Sequence, residues 1–222
     1  MIKFVQVTKR FGLIVALEEV SFTIEDGEFV FITGPSGAGK TTLINLILRR
    51  YVPTGGSVVI EGADLSKLSR KNLILLRRQI GVVFQDYKLL GDRTVEENVA
   101  MALQVLGKKE GQIEKEVKAA LAAVGLSERA SLFPSQLAGG ELQRTCLARA
   151  MVIKPKVIIA DEPTGNLDSR MAGQIVDLLK KFNKEGRTVI MATHNLELVR
   201  ANKARVIELD EGKLVKDNAG TI

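Results

Sequence analysis

Residues 29–42 read Phe29-Val30-Phe31-Ile32-Thr33-Gly34-Pro35-Ser36-Gly37-Ala38-Gly39-Lys40-Thr41-Thr42. The stretch opens as a continuous, almost wholly apolar run, the pattern of a strand covered on both faces. The next residues, 34–41, fit G-x-x-x-x-G-K-[ST], and residues 42–50 read as a helix. Glycines let the backbone curl with its N–H groups facing inward, which makes an anion nest. The positive end of a helix starting near Lys40 adds to it. In such a nest Lys40 reaches the β- and γ-phosphates of a nucleoside triphosphate, the Thr41 hydroxyl ligates Mg²⁺, and Thr42 adds a phosphate contact. The alternative is a glycine-rich turn with no ligand. With ordinary glycine usage, a chance match in a chain of 222 residues has odds of about 1 in 100.

Working outward, residues 157–160 (Val-Ile-Ile-Ala) form a second apolar run that ends in Asp161-Glu162. In an open α/β sheet the carboxyl end of a strand faces the ligand crevice. Asp161 suits the Mg²⁺ shell, directly or through water, and Glu162 is placed to orient or deprotonate an attacking water. A strand ending in two acids is, alone, as well explained by helix capping. Further strands are expected at 2–7, 20–24, 58–60, 80–84 and 188–193. A hairpin at 205–209 and 213–216 flanks Asp210-Glu211-Gly212. Helical spacing marks 64–78, 94–107, 113–124, 141–153 and 171–182. Strands alternating with helices predict an α/β parallel sheet, with a helical block at about 86–153 set between its strands.

Composition narrows the class. Hydrophobic residues make up 45% and charged residues 26%, so disorder is a poor reading, and a single cysteine allows no internal disulfide. No run approaches the roughly 18 apolar residues a membrane-spanning helix needs. The charged opening MIKFVQVTKRF lacks the apolar core of a signal peptide. A soluble, cytoplasmic chain is expected, held at any membrane by something else. Lys+Arg 32 against Asp+Glu 26 gives +6, in clusters at Arg49-Arg50, 67–78, Lys108-Lys109 and 180–184 that read as solvated helix faces. Aromatics are 5% with no Trp, too few for base-stacking platforms, so no nucleic-acid partner is expected.

Leu137-Ala138-Gly139-Gly140-Glu141-Leu142-Gln143-Arg144 resembles the LSGGQ signature of the ATP-binding-cassette (ABC) ATPases, and lies about one helix before the acidic strand as it does in that family. The resemblance runs from about residue 2 to 216. It implies a P-loop NTPase fold: a RecA-like core with an N-terminal antiparallel β subdomain and an inserted α-helical subdomain. On that basis 1–222 is one domain, with core and β subdomain in 1–85 and 154–222 and the helical subdomain in 86–153. The cofactors implied are ATP and Mg²⁺, and the activity is ATP hydrolysis. The resemblance also implies a head-to-tail homodimer on ATP binding. Each signature helix points its N-terminus, Ala138, Gly139 and Gly140, at the γ-phosphate held by the other copy. Glycine N–H groups at a positive helix end suit that task; taken alone, the segment reads as a Gly-Gly turn before a capped helix.

Other positions follow from the same resemblance. The nucleotide set is Gly34, Pro35, Ser36, Gly37, Ala38, Gly39, Lys40, Thr41 and Thr42. Gln85 matches the Q-loop glutamine, which joins Thr41 and Asp161 around Mg²⁺ or touches the attacking water. Glu162 and His194 act with Gln85 and Lys40 in catalysis, His194 as the switch histidine at the γ-phosphate. Asp168, in Gly165-Asn166-Leu167-Asp168, falls in the D-loop at the dimer interface. Phe11 falls where the family stacks an aromatic on adenine, and core packing is the competing reading.

Several segments are similar to cell-division members of the family: Leu76-Arg77-Arg78-Gln79-Ile80-Gly81, Phe84-Gln85-Asp86 with Leu89-Leu90, Asp92-Arg93-Thr94-Val95, Asn98-Val99-Ala100, and 160–168 (ADEPTGNLD). They imply an integral, permease-type membrane partner and a peripheral place on the cytoplasmic face of the bacterial membrane at the division site. The implied task is control of cell-wall hydrolysis. The last segment is shared with lipoprotein-release and macrolide exporters, so an exporter ATPase is a rival reading, as is a nucleotide-gated module that hydrolyses little. Ala138 stands where the family has serine. The lost phosphate hydrogen bond and helix cap together remove on the order of 1–3 kcal/mol, so weaker closure is expected. Cys146 reads as a small buried residue, not a nucleophile.

Overall fold

The computed structural model describes residues 1–219, so positions 220–222 of the expected domain lie outside the described residues. The chain runs β1 (Ile2–Phe11), β2 (Ile14–Ile24), β3 (Phe29–Thr33), α1 (Lys40–Ile47), β4 (Gly55–Ile60), β5 (Ala63–Asp64), α2 (Arg70–Arg77) and β6 (Ile80–Phe84). Three helices follow, α3 (Val95–Val105), α4 (Glu110–Ala123) and α5 (Gly139–Met151). Then come β7 (Val157–Asp161), α6 (Ser169–Lys184), β8 (Thr188–Ala192), α7 (Leu196–Ala201), β9 (Arg205–Asp210) and β10 (Lys213–Asp217).

Two sheets form. One has four antiparallel strands in the order β2-β1-β4-β5. The other has six in the order β10-β9-β3-β8-β7-β6, parallel except for β10 at its edge. The P-loop NTPase class read from the sequence is the fold observed.

The uninterrupted apolar runs have a direct cause. Successive side chains of a strand point to opposite faces, and here both faces are covered. Phe31, Ile158, Ala160, Val189 and Met191 join the core beneath the helices, with Leu147 of α5 and Val176 of α6. Their neighbours Val30, Ile32, Ile159, Ile190 and Ala192 join the core shared with α1 and the antiparallel sheet, against Phe4, Leu17 and Leu43. Because β3, β6, β7 and β8 are parallel, the residues that follow them leave from one edge of the sheet. Gly34, Gln85, Glu162 and Thr193-His194 therefore arrive at a single rim.

Four local expectations are corrected. Residues 64–78 are not one helix but a tight 3-10 turn, Leu65–Lys67, and then α2. Asp64 accepts from Ser66 N–H at 2.9 Å and Ser69 from Asn72 N–H at 3.3 Å, and each such side-chain bond starts a new helical segment instead of continuing an old one. α1 begins at Lys40 and stops at Ile47, with Arg49 at φ 53°, so it does not reach residue 50. β1 and β2 are longer than the alternating segments suggested. α7 was not expected; its six residues are too few for a period, and Asn195 starts it by accepting from Leu198 N–H at 2.9 Å.

The two sheets are tied by Arg205, whose side chain is only 6% exposed. Its Nε and Nη2 donate to the two Asp217 carboxylate oxygens at 2.8 and 2.7 Å, and its Nη1 donates to Glu28 at 3.0 Å and to the Thr23 carbonyl at 2.6 Å. The Arg205 hydrogen bonds hold the Asp217 carboxyl below the usual carboxylate range. A depressed carboxylate stabilises the fold above its unfolded-state pKa, and that contribution is lost as pH falls through the lowered folded value. Arg205→Met leaves two part-buried carboxylates without their cation, and should cost about 3 kcal/mol, a melting-point drop of roughly 6–12 °C at neutral pH. The gap to wild type should narrow in acid. Thermal melts across pH check this, and an unchanged melting point would contradict it.

Candidate functional site

A cleft of about 580 Å³ opens at the rim, lined by the glycine loop and by Ala16, Gln85, Glu162 and His194. Two glycines of the loop are required by geometry. Gly34 has φ 140°, and a β-carbon there would lie 2.1 Å from the Leu209 carbonyl oxygen. Gly39 has φ 104°, and its β-carbon would lie 2.6 Å from the Ala16 oxygen. Gly39 is also the N-cap of α1, which has neither a side-chain cap nor an acidic residue in its first turn. The positive helix end is thus left for an outside anion. Pro35, Ser36, Gly37, Thr41 and Thr42 line the cleft, while Ala38 is buried beneath the loop.

Lys40 is 7% exposed. Its Nζ donates to the Gly34 carbonyl at 2.7 Å and the Pro35 carbonyl at 3.0 Å, and lies 3.6 Å from Glu162 Oε1. The other Glu162 oxygen meets His194 Nδ1 at 3.0 Å and accepts from the His194 backbone N–H at 3.4 Å. Glu162 sits at φ 48°, in the left-handed region that a non-glycine residue occupies at a cost. Its N–H donates to the Ala192 carbonyl at 3.0 Å, which ties the turn to β8. The carboxylate is therefore fixed from both ends at the cleft floor, between a cation and an imidazole.

Thr41 Oγ1 lies 3.5 Å from Asp161 Oδ1. Burial pushes the Asp161 carboxyl above its ordinary pKa; the Thr41 bond opposes this and neighbouring Glu162 adds to it. The Gln85 amide shares the cleft, and a β-carbon on Gly165 would lie 2.8 Å from its Nε2. A hydroxyl, a carboxylate and an amide oxygen are hard donors of the kind Mg²⁺ takes, beside phosphate oxygens and water. Among the described residues no cluster of three His, Cys, Asp or Glu forms. The donors present fit Mg²⁺.

Phe11, Ala138, Gly139, Gly140 and Asp168 lie outside this lining. Phe11 is 40% exposed, which removes core packing as its role. It meets Tyr51 edge-on at 5.0 Å, under the Lys9 ammonium at 4.8 Å. Asp168 caps α6 by accepting from Met171 N–H at 2.9 Å. Ala138 occupies the N-cap of α5, where it offers no acceptor, while Glu141 Oε2 accepts from the Ala138 N–H at 3.0 Å. Half of a capping box is thus kept. A β-carbon on Gly140 would lie 2.0 Å from Met171 Cε, so α5 packs closely on α6 there. Cys146 is fully buried, with burial raising its thiol to about 12. Sequence reasoning missed Ala16 in the cleft wall, and also the hold that Cys146 and Arg149 have on the residues after Gln85.

The profile of the ABC transporter family matches residues 17–165. The cell division ATP-binding protein FtsE of Bacillus subtilis is 48% identical over 204 residues, 92% of this chain and 90% of that protein. FtsE of Escherichia coli K12 is 46% identical over 215 residues, 96% and 97% of the two chains. A dimeric ATP-binding cassette, solved in a post-hydrolysis state bound to ADP and Pi, matches at TM-score 0.88 and 37% identity, covering 98% of each chain. The chain belongs to the ABC transporter family. It is an ATP-binding cassette of the ATPase class.

The buried Asp161 gives a test. Its raised pKa favours the neutral form in the folded state, an advantage present below the unfolded-state pKa and lost as pH rises through the folded value. At neutral pH the ionised group is therefore a burden on the nucleotide-free fold. Asp161→Asn should raise the melting point while removing Mg²⁺-dependent ATP turnover. A lower melting point, or turnover like wild type, would contradict this role; calorimetry and phosphate release measure the two.

Proposed function

We propose that the chain is the ATP-hydrolysing subunit of a membrane complex in bacterial cell division. It closes as a homodimer around two Mg·ATP and signals through an FtsX-like, permease-type protein to control cell-wall hydrolysis. The observation that carries the enzymatic part is the double hold on Glu162, 3.6 Å from Lys40 Nζ and 3.0 Å from His194 Nδ1. A triphosphate draws the Lys40 ammonium off the carbonyls of Gly34 and Pro35 and onto its β- and γ-oxygens. Glu162, freed from that contact, accepts the proton of the attacking water. His194 keeps the carboxylate aimed and faces the γ-phosphate. Thr41, Gln85 and Asp161 would hold Mg²⁺, which would supply positive charge to the phosphates.

On this reading the second copy supplies Gly139 and Gly140 at the γ-phosphate, with Asp168 near the shared interface and Phe11 at the adenine. ADP lacks the γ-phosphate contacts, and only such a difference in affinity can drive closure and opening. Residues 86–153 act as the helical subdomain that passes the motion on. A groove of about 610 Å³ between α3 and α4, floored by Ala100, Met101 and Val117, offers the membrane partner a seat. No helix among the described residues is long and apolar enough to cross a bilayer; on this reading the partner holds the chain at the cytoplasmic face at the division site. The name shared by the relatives at 46–48% identity supports the division role.

Glu162→Gln should cut steady-state phosphate release by about 10²–10⁴-fold while fluorescent ATP analogues still bind. Hydrolysis at the wild-type rate would reject Glu162 as the base.

A further inference from the structure

The turn after Gln85 is held in a conformation its own residues disfavour. Tyr87 has φ 60° and Lys88 φ 50°. Lys88 N–H donates to the Asp86 carbonyl at 2.6 Å, which closes a three-residue turn around a central residue of positive φ, the rare and strained form. Two successive side chains in the left-handed region persist only where the surroundings over-determine them.

Those surroundings lie on α5. Arg149 Nη2 donates to the Tyr87 carbonyl at 2.7 Å and Nη1 to the Lys88 carbonyl at 2.6 Å. Cys146 Sγ donates to the Tyr87 carbonyl at 3.1 Å. A guanidinium is a rigid fork that can hold two acceptors at a fixed spacing. The Tyr87 hydroxyl oxygen lies 3.3 Å from where a β-carbon on Gly139 would sit, so its ring reaches the first residue of α5. On the cleft side Asn166 Nδ2 donates to the Gln85 carbonyl at 3.2 Å.

We propose that Arg149 is a positioning residue for ATP hydrolysis. By gripping two successive carbonyls it holds the 87–88 turn in its left-handed state. It thereby fixes Gln85 in one copy's cleft and fixes α5, which faces the other copy's nucleotide, at a set distance from Gln85. The activity readout rests on the ATPase reading. Without the fork, Tyr87 and Lys88 relax to negative φ and the Gln85 amide leaves its place. ATP affinity, set by the glycine loop and Lys40, stays.

Arg149→Ala should lower kcat by about tenfold to a hundredfold, the range a misplaced group costs, with KM for ATP nearly unchanged. Arg149→Lys, which reaches one carbonyl, should fall between. Adding Lys88→Gly to Arg149→Ala should recover part of the loss, because glycine takes positive φ without penalty. A merely structural role for Arg149 would not respond to glycine at 88. Hydrogen exchange of the 84–90 segment reads the clamp without turnover, and should speed up in Arg149→Ala. Wild-type kcat in folded Arg149→Ala overturns the proposal. So does a loss that Lys88→Gly leaves wholly uncorrected, or a rise in KM at constant kcat. If Arg149→Ala does not fold, the same outcomes are read from Arg149→Lys. A wild-type chain that hydrolyses no ATP sinks the ATPase reading instead, and the exchange rates still decide whether Arg149 holds the turn.

Discussion

An ammonium group is among the most costly side-chain groups to bury, and the cleft is arranged around the one on Lys40. Two loop carbonyls and a carboxylate at 3.6 Å hold it. Carbonyl dipoles carry no net charge, and Glu162 divides its two oxygens between Lys40 and His194. The cation is satisfied but not strongly paired, so a polyphosphate can take it. In the proposed mechanism this exchange does two things together: the phosphates gain a counter-charge, and the Glu162 carboxylate loses its contact with the ammonium. The proposal thus links substrate binding to Glu162 through a single side chain.

The sheet makes that coupling possible. Parallel strands buried on both faces are rigid, and their carboxyl ends set Gly34, Gln85, Glu162 and His194 at one rim without any of the four being near another in sequence. The local strain at Glu162, φ 48°, is borne by the β8 carbonyl that receives its N–H. The strain at Tyr87 and Lys88 is borne by α5. Both strained points lie beside side chains to which a function is proposed, the usual place for a fold to tolerate such conformations.

Much of this was legible in the residues. The runs at 29–33 and 157–160 could be read as strands because double-sided burial leaves no polar alternation. The glycine loop could be read because a backbone anion nest demands glycine at fixed spacing. Other parts were not legible. The break within 64–78 depends on whether Asp64 and Ser69 bond to local N–H groups, which helical spacing does not reveal. α7 is too short to show a period. Phe11 is half exposed for reasons that lie in Tyr51 and Lys9, not in its own neighbours. The Arg149 fork joins residues about sixty positions apart, and an arginine in a helix has no mark that says its partner is a turn carbonyl.

One copy brings the glycine loop, Gln85, Glu162 and His194 into one cleft, while Gly139, Gly140 and Asp168 are not among its lining residues. Triphosphate is proposed to join two such copies where diphosphate does not. Light-scattering mass of the Glu162→Gln chain with its membrane partner absent and then present is the direct measurement. A paired mass is expected in Mg·ATP and a single-chain mass in Mg·ADP. A single-chain mass in both nucleotides, with or without the membrane partner, would contradict it.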